Sequence, residues 1–188
     1  MFNKQKVHRL VKRMSNDYKG ALEVFDKVNV FRPNNASTLR SHGDVKYMFD
    51  DNQRALEDLN KADALEPNNA STFKSRGDVK RMLKDYQGPL EDLDKADVLE
   101  PNDAFTLGCH GDVKRVLKEY QGALEDLDNA HVLDPNNAFT LRTRGNVKRM
   151  LKEYQGALED LDKADVLEPN NAFTLGRRGD VKSVLKQY

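Results

Sequence analysis

The fold of this chain is decided by the stretch AFTLRTRGNVKRMLKEYQGALEDLDKADVLEPNN, which runs from Ala138 to Asn171. The same arrangement of residues returns along the chain at a step of 34 residues, as from Pro135 to Pro169. The prolines and glycines that keep this step are Pro33, Pro67, Pro101, Pro135, Pro169, Gly43, Gly77, Gly111, Gly145 and Gly179. A fixed period of this length is typical of an array of small structural repeats.

Each repeat contains two patterns of helix length separated by a short break. In the second pattern, apolar residues recur at steps of three and four, as an amphipathic helix requires. These residues are Ala157, Leu158, Leu161, Ala164 and Leu167. The residues EPNN then end the helix, because proline cannot continue it, and the second asparagine is placed to cap the next helix. A hairpin of two helices is too small to bury its own apolar face, so the hairpins must stack on one another.

Composition excludes several classes of partner. The 188 residues include 31 Lys and Arg against 31 Asp and Glu, so the chain has no net charge to attract nucleic acid or an anionic membrane. The single cysteine, Cys109, cannot form an internal disulfide, and no apolar run is long enough to span a bilayer. The sequence therefore predicts a cytoplasmic protein. The basic N-terminus MFNKQKVHRLVKRM leaves a mitochondrial presequence as an alternative.

The repeats resemble those of the tetratricopeptide repeat (TPR) family. When each repeat is numbered so that its proline is position 32, six residues match the family signature at positions 4, 8, 20, 24, 27 and 32, namely Leu141, Gly145, Ala157, Leu161, Ala164 and Pro169. Tyr154 also matches the tyrosine common at position 17. The resemblance implies an all-α fold, an α-solenoid of stacked antiparallel helix-turn-helix repeats that forms a right-handed superhelix.

The repeats cover the whole chain as a single expected array, 1–188. Complete repeats run over 36–69, 70–103, 104–137 and 138–171, and 172–188 holds one final helix. The first repeat, 2–35, is degenerate, with Arg9 in place of the glycine and Val28 in place of the alanine.

Three positions depart from the family signature by carrying charge. Position 7 holds Arg or His, position 11 holds Lys throughout, and position 28 holds Asp or His. Because an unpaired buried charge costs several kcal/mol, of order 3–5, these residues require partners or solvent. We expect pairs within each hairpin, Arg76 with Asp97 and Arg144 with Asp165. We expect the lysines to pass their stems over the core and to place their amines at its edge.

The tripeptide Arg76-Gly77-Asp78, known as an adhesion signal in extracellular proteins, recurs at Arg178-Gly179-Asp180. It occupies positions 7 to 9 in the middle of a predicted helix. The equivalent triplets elsewhere include HGD at 42–44 and RGN at 144–146. The glycine is kept and the tripeptide is not, so the pattern favours a structural role.

No constellation of residues predicts catalysis. The acidic run EDLDKAD, 91–97 and 159–165, lacks the glycine and glutamate of a calcium-binding loop and is interpreted as a solvated helix face. Cys109, His110 and His131 suggest zinc ligands, but they lack a fourth ligand. We therefore predict that the chain is not an enzyme and holds no cofactor and no metal.

The resemblance implies a concave groove, lined by positions 2, 5, 9 and 12 of the first helices, that binds a peptide or partner protein. The residues at these positions that we predict to contact it are Arg40, Asp44, Tyr47, Lys74, Asp78, Arg81, Phe105, Asp112, Arg115, Phe139, Arg142, Asn146, Arg149 and Phe173. Mixed charge with phenylalanines suits a ligand with acidic and apolar residues. The alternative for positions 9 and 12 is that they form ion pairs within their own helix.

Two further functions stay open. The chain is predicted to act as a scaffold or adaptor, but its terminal repeats offer an alternative, self-association end to end. A clamp for the C-terminal tails of heat-shock chaperones is less favoured, because only Arg142 and Asn146 approximate its first step and Arg177 stands where asparagine is wanted.

Overall fold

The computed structural model describes residues 19–20, 23–24, 35–85 and 87–186. Most of the degenerate first repeat, 2–35, and the basic N-terminus lie outside the described residues. The helices with bounds in the described part are α1 (Ala36–Met48), α2 (Asn52–Leu65), α3 (Ala70–Met82), α4 (Gly88–Leu99), α5 (Ala104–Val116), α6 (Tyr120–Leu133), α7 (Ala138–Met150), α8 (Tyr154–Leu167) and α9 (Ala172–Leu185). The odd-numbered helices are the first helices of their repeats and the even-numbered ones are the second helices. The all-α fold class, an α-solenoid, is confirmed for this part of the chain.

Each first helix begins where its asparagine or aspartate caps it, as predicted. The Asn137 side chain accepts a hydrogen bond from the Thr140 amide, and the Asp103 side chain accepts the equivalent bond from Thr106. A cap of this kind satisfies one of the amides that a helix start leaves without a partner. The same cap at Asn35, Asn69 and Asn171 fixes the start of every described first helix.

The breaks between helices use left-handed backbone at residues other than glycine. Lys118, for example, has a φ of 67° two residues after the end of α5, and Asn102 has a φ of 63° three residues after the end of α4. Asparagine tolerates this conformation better than lysine does, because its short polar side chain bonds locally. The turn therefore stores some strain where lysine occupies it.

The chain divides into two compact units, Met1–Asp85 and Tyr86–Tyr188. The first contains α1, α2 and α3, and the second contains α4 to α9. The division falls inside the repeat 70–103, between its two helices. The single array expected from the sequence stays a prediction.

In the second unit, α6 and α8 each pack against their own first helix and against the first helix that follows, and α4 packs against α5. Leu127 of α6 and Val147 of α7 are fully buried in one cluster, and Leu161 of α8 and Val181 of α9 are fully buried in another. The first unit repeats this arrangement with Leu59 of α2 against α3. The apolar stripes of α2, α6 and α8 are thus each divided between two neighbouring first helices, which joins successive repeats within a unit.

The glycine at position 8 is fixed by a close approach of the second helix. A Cβ built on Gly111 would lie 2.5 Å from Leu127 Cγ and 3.0 Å from the Ala123 carbonyl oxygen. Any side chain there would push the two helices apart. The glycine at position 8 therefore reports a packing contact in α1, α5 and α7.

Among the described residues, none of the helices combines the length and the apolar character needed to cross a bilayer.

Candidate functional site

The hairpin of α7 and α8 contains a buried ion cluster. Arg144 Nη2 donates to Asp160 Oδ1 at 2.6 Å, and its Nε donates to Asp160 Oδ2 at 2.8 Å. Lys148 Nζ lies 2.9 Å from Asp160 Oδ2. Asp160, at position 23, is only 3% exposed, so it neutralises two cations inside the hairpin.

The same cluster is present in two other hairpins, with histidine in the place of arginine. In α1 and α2, Asp58 Oδ2 lies 3.1 Å from His42 Nδ1 and 2.6 Å from Lys46 Nζ. In α5 and α6, Asp126 Oδ2 lies 3.1 Å from His110 Nδ1 and 2.8 Å from Lys114 Nζ. The predicted placement of the position-11 lysines at the edge of the core is therefore refined, because their amines end on a carboxylate of the second helix.

In these clusters, the hydrogen bonds and charges of the cationic partners change the pKa of the aspartate more than burial does. Burial raises the pKa of Asp126 and of Asp160, but the hydrogen bonds and charges of their cationic partners lower it further, and both pKa values end below the ordinary range. Burial lowers the pKa of Arg144, and the bonds to Asp160 and Asp128 more than reverse this. Asp126, Asp160 and Arg144 are therefore charged near neutral pH.

The expected pair of Arg144 with Asp165 is wrong. Arg144 bonds Asp160 instead, and Asp165 Oδ2 accepts a bond of 2.6 Å from Arg178 of α9. Position 28 follows position 23 by five residues, a rotation of about 140° on a helix. Position 28 therefore faces the next first helix, so its charge pairs across repeats.

The other first helices confirm that position 7 reaches back to the preceding repeat. Arg76 Nη1 lies 2.7 Å from Asp63 Oδ2, and Arg178 Nε lies 2.6 Å from Asp162 Oδ1. Asp97 belongs to the other unit from Arg76, so the expected Arg76–Asp97 pair stays a prediction.

The interpretation of the acidic run as a solvated face is wrong for two of its members. Asp92 is 1% exposed and Asp160 is 3% exposed, whereas Glu91, Asp94 and Glu159 lie on the surface. The run is helical, as predicted. The missed signal was the joint presence of a cation at positions 7 and 11 and aspartate at 23, because two buried cations require a buried anion.

A row of phenylalanines lies at position 2 of the first helices α5, α7 and α9. Phe105 is 47% exposed and Phe173 is 39% exposed. The guanidinium carbon of Arg142 lies 5.3 Å from the centre of the Phe139 ring, and that of Arg177 lies 5.2 Å from the Phe173 ring. We call the residues at positions 2, 5, 9, 12 and 13 of α5, α7 and α9, together with Arg177 at position 6, the first-helix face.

The two arginines on this row are held differently. Arg142 Nη1 donates to Glu168 Oε2 at 2.6 Å, at the end of its own hairpin. Arg177 Nη1 donates to Asp180 Oδ2 at 2.9 Å, and both of these side chains are exposed by about a third or more. Exposed pairs contribute about 0–1 kcal/mol, so Arg177 can exchange its partner at little cost.

Positions 9 and 12 pair within α3, α5 and α7. Arg115 Nε donates to Asp112 Oδ1 at 2.8 Å, and Arg149 Nη2 donates to Asn146 Oδ1 at 3.0 Å. In the first unit, Arg81 Nε donates to Asp78 Oδ1 at 2.9 Å. The acceptors Asp78, Asp112 and Asn146 are buried, so the alternative of pairing within the helix is observed, but the pairs are not solvated.

The candidate residues of the first unit take part in contacts between α1 and α3. Arg40 Nη1 donates to Thr72 Oγ1 at 3.0 Å. Burial raises the pKa of Asp44, and the hydrogen bond with Ser75 and the charge of Arg40 oppose it without cancelling it. Tyr47 packs against the core beside Ala55, and Lys74 lies half-buried on α3.

Position 13 was missed from the sequence. It carries Met48, Met82 and Met150, which are 75%, 43% and 41% exposed. Positions 2 and 13 are separated by eleven residues, close to three full turns, so they share one face of the helix. Flexible, polarizable methionine adapts to varied partners, and its return in three repeats was the available signal.

Cys109, His110 and His131 are not brought together as a metal site. Cys109 is buried in the core beside Leu93 and Val113, and the part of the chain described by the structure holds no cluster of three metal-ligating side chains. His110 Nε2 lies 3.1 Å from Asp94 Oδ1, but without the angles of a hydrogen bond.

The comparisons with known proteins identify the fold. No protein-family model matches the sequence, and no curated protein matches it significantly. Among solved structures, the chain is similar to MamA, with 24% identity, a TM-score of 0.69, and 86% of this chain and 94% of MamA covered.

Two more solved structures are similar. One is YrrB, described as a TPR protein with an unusual peptide-binding site, with 23% identity, a TM-score of 0.67, and 91% of this chain and 88% of YrrB covered. The other is TTC0263, a thermophilic TPR protein of Thermus thermophilus, with 18% identity, a TM-score of 0.70, and 95% and 98% covered. The resemblance predicted from the sequence is thereby confirmed at the level of structure: the chain has the fold of the tetratricopeptide repeat proteins.

Proposed function

We propose that the protein is an interaction scaffold and that the first-helix face of its second unit binds a peptide or a segment of a partner protein. The observation that carries the proposal is the row of exposed Phe105, half-buried Phe139 and exposed Phe173, with arginines stacked on two of the rings. Aromatic residues and arginine contribute most to binding energy at protein interfaces. The TPR fold, which typically serves protein–protein interaction, and the peptide-binding site named for YrrB support this proposal. No catalytic role is proposed.

The ligand that this face suits carries apolar side chains beside a carboxylate. The phenylalanines and Met150 offer apolar contact, and Arg177 offers a cation whose present partner is exposed. Arg115 and Arg149 are bound to buried acceptors and are placed at the edge of the ligand. In the first unit, Met48 and Met82 extend the apolar character of the equivalent positions.

The proposal is tested with a peptide selected on the chain 1–188 from a displayed library, with its affinity measured by fluorescence anisotropy. We expect Phe105→Ala and Phe173→Ala together to weaken binding more than tenfold, since each removes an exposed aromatic contact. Val132→Ala is the matched control, because Val132 is 78% exposed on a second helix and lies off this face. Equal affinity for both variants would refute the assignment of the face.

Self-association through α9 is a second candidate function. A Cβ on Gly179 would meet nothing within 4 Å, whereas the same position in α7 meets Leu161 Cγ at 2.8 Å. Leu175, one turn earlier on α9, is 43% exposed. If this face pairs with another molecule, light scattering will show a mass that rises with concentration and a return to monomer in Leu175→Glu. A constant monomer mass would exclude it.

The cytoplasmic location also stays a prediction.

A further inference from the structure

A groove between two second helices of the second unit lies away from the first-helix face. It measures about 460 Å³, within the range of small-ligand sites. Leu141, Val166 and Leu167 form its apolar wall. The polar edge consists of His131, Asn136, Lys163 and Asp162, whose carboxylate is neutralised by Arg178. Val166 is 80% exposed, so the groove opens to solvent.

The groove is placed where the repeat pattern is broken. Position 28 is aspartate in the other complete repeats, and two of these carboxylates, those of Asp63 and Asp165, accept bonds of 2.7 and 2.6 Å from a position-7 arginine. At the corresponding place His131 stands before Arg144, which donates to Asp128 at 3.1 Å instead. A neutral ring thus replaces a carboxylate beside an arginine.

His131 is left with an unused polar atom. Its Nδ1 is buried and makes no hydrogen bond to any residue that the structure describes. Such an atom costs about 1–3 kcal/mol unless something bonds it. Burial lowers the pKa of His131, and the charge of Arg144 lowers it further, so the ring lies in a positive potential. Lys163, on the edge of the groove, makes no ion pair within the described chain.

We propose that this groove binds a small aliphatic carboxylate. The carboxylate lies between the His131 ring and the Lys163 amine, and supplies the anion that aspartate supplies in the other repeats. The alkyl chain covers Val166 and Leu167, whose exposed area gains from removal from water. A neutral molecule of the same shape gains only the apolar contact with Val166 and Leu167.

The test uses hexanoate as the probe and 1-hexanol as its neutral counterpart, followed by NMR of the backbone amides of the full chain. We expect hexanoate to shift the amides of 131 and 162–167 in a saturable way, with hexanol at least tenfold weaker. If hexanol binds as tightly as hexanoate, the groove is merely apolar and the proposal fails.

Two variants locate the carboxylate. His131→Asp restores the aspartate of the other repeats as a partner for Arg144, and we expect it to keep the fold and abolish hexanoate binding. Lys163→Met should weaken binding at least threefold. Its matched control is Lys95→Met, at the same repeat position in α4 but bonded to Glu91, which should bind like the parent. Full binding by His131→Asp, or equal binding by the two lysine variants, would overturn the proposal.

The titration of His131 gives an independent readout. The groups that act on its ring are Arg144 and Lys148 from α7, and Asp160 and Lys163 from α8. A bound anion favours the protonated ring, so saturating hexanoate should raise the pKa of His131, and affinity should rise as pH falls from about 8 to about 6. An unchanged pKa in the saturated protein would contradict the placement of the carboxylate.

Discussion

At the scale of single residues, the aspartate at position 23 determines how charge is accommodated in this fold. Asp160 lies between Arg144 and Lys148 and is almost fully buried. A buried ion cluster adds little net stability compared with an apolar contact of the same shape, but removing one member leaves the others without compensation. The aspartate is therefore required to neutralise the two cations that the hairpin buries.

Asp160→Asn is expected to be strongly destabilising. The amide keeps the shape and loses the charge, which leaves two cations inside the hairpin. We expect the free energy of unfolding to fall by about 3 kcal/mol, measured by urea denaturation followed by circular dichroism. Glu159→Gln is the control, since its neighbouring carboxylate is exposed and accepts a bond from Gln155 on the same helix. Similar losses of unfolding free energy in the two variants would show that the buried cluster contributes no more to stability than an exposed carboxylate does.

Single residues also show where prediction from the sequence ends. The proline and glycine at fixed steps predicted both helices of each repeat and their caps, because these depend on local geometry. The partner of Arg144 was predicted as Asp165 and is Asp160. Choosing between them requires the rotation of α8 relative to α7, which packing of the whole hairpin sets. The methionines at position 13 were missed for a different reason, since exposure depends on neighbouring repeats.

At the scale of helices, the distance between the two helices of a hairpin depends on the absence of a Cβ atom at position 8. The glycine at position 8 is in tight contact in α5 and free in α9, although its sequence surroundings are similar. The same substitution at the two places therefore separates packing from helix propensity.

Gly111→Ala and Gly179→Ala should have opposite effects. Alanine favours a helix over glycine by about 1 kcal/mol, so Gly179→Ala should stabilise the protein by up to that amount. At Gly111 the added methyl meets Leu127 and the Ala123 carbonyl, and overpacking of about 1–3 kcal/mol should reverse the gain. Thermal unfolding of both variants measures the difference. Equal shifts would mean that the close approach is not maintained in solution.

The left-handed turn after α5 offers a stabilising change. Lys118 has a φ of 67°, which costs a residue with a side chain about 1 kcal/mol relative to glycine. Lys118→Gly should therefore raise the midpoint of thermal unfolding. Lys163→Gly, in the middle of α8, should lower it, because glycine there loses helix propensity without relieving strain. A decrease in both variants would argue against the turn conformation.

At the scale of the whole molecule, buried clusters make stability depend on acid. The folded pKa values of Asp126 and Asp160 lie below that of an unfolded aspartate, about 3.9. Their contribution is complete above that pH and is lost as pH falls through the folded values. Asp44 acts in the opposite direction, because its pKa is raised and its protonation in acid favours the fold.

We expect the free energy of unfolding to be nearly constant from about pH 7 to about pH 5 with respect to these aspartates and to fall steeply below about pH 4. Asp160→Asn should flatten this acid limb, since one of the two titrating groups is removed. Glu159→Gln should leave the limb unchanged. Urea denaturation at a series of pH values measures all three. Parallel acid limbs for the parent and Asp160→Asn would contradict the lowered pKa.

The arginine that reaches back to the preceding repeat has a consequence for how such a chain can change during evolution. Arg178 bonds Asp162 and Asp165, so the residues that must match lie in a second helix and the first helix after it. A segment that consists of one second helix and the first helix after it contains both the arginine and its aspartates. A segment that begins and ends at the prolines contains only one side of the pair. Gene duplications and recombined arrays that exchange a second helix together with the next first helix should therefore keep this contact between repeats more often than those that exchange whole hairpins.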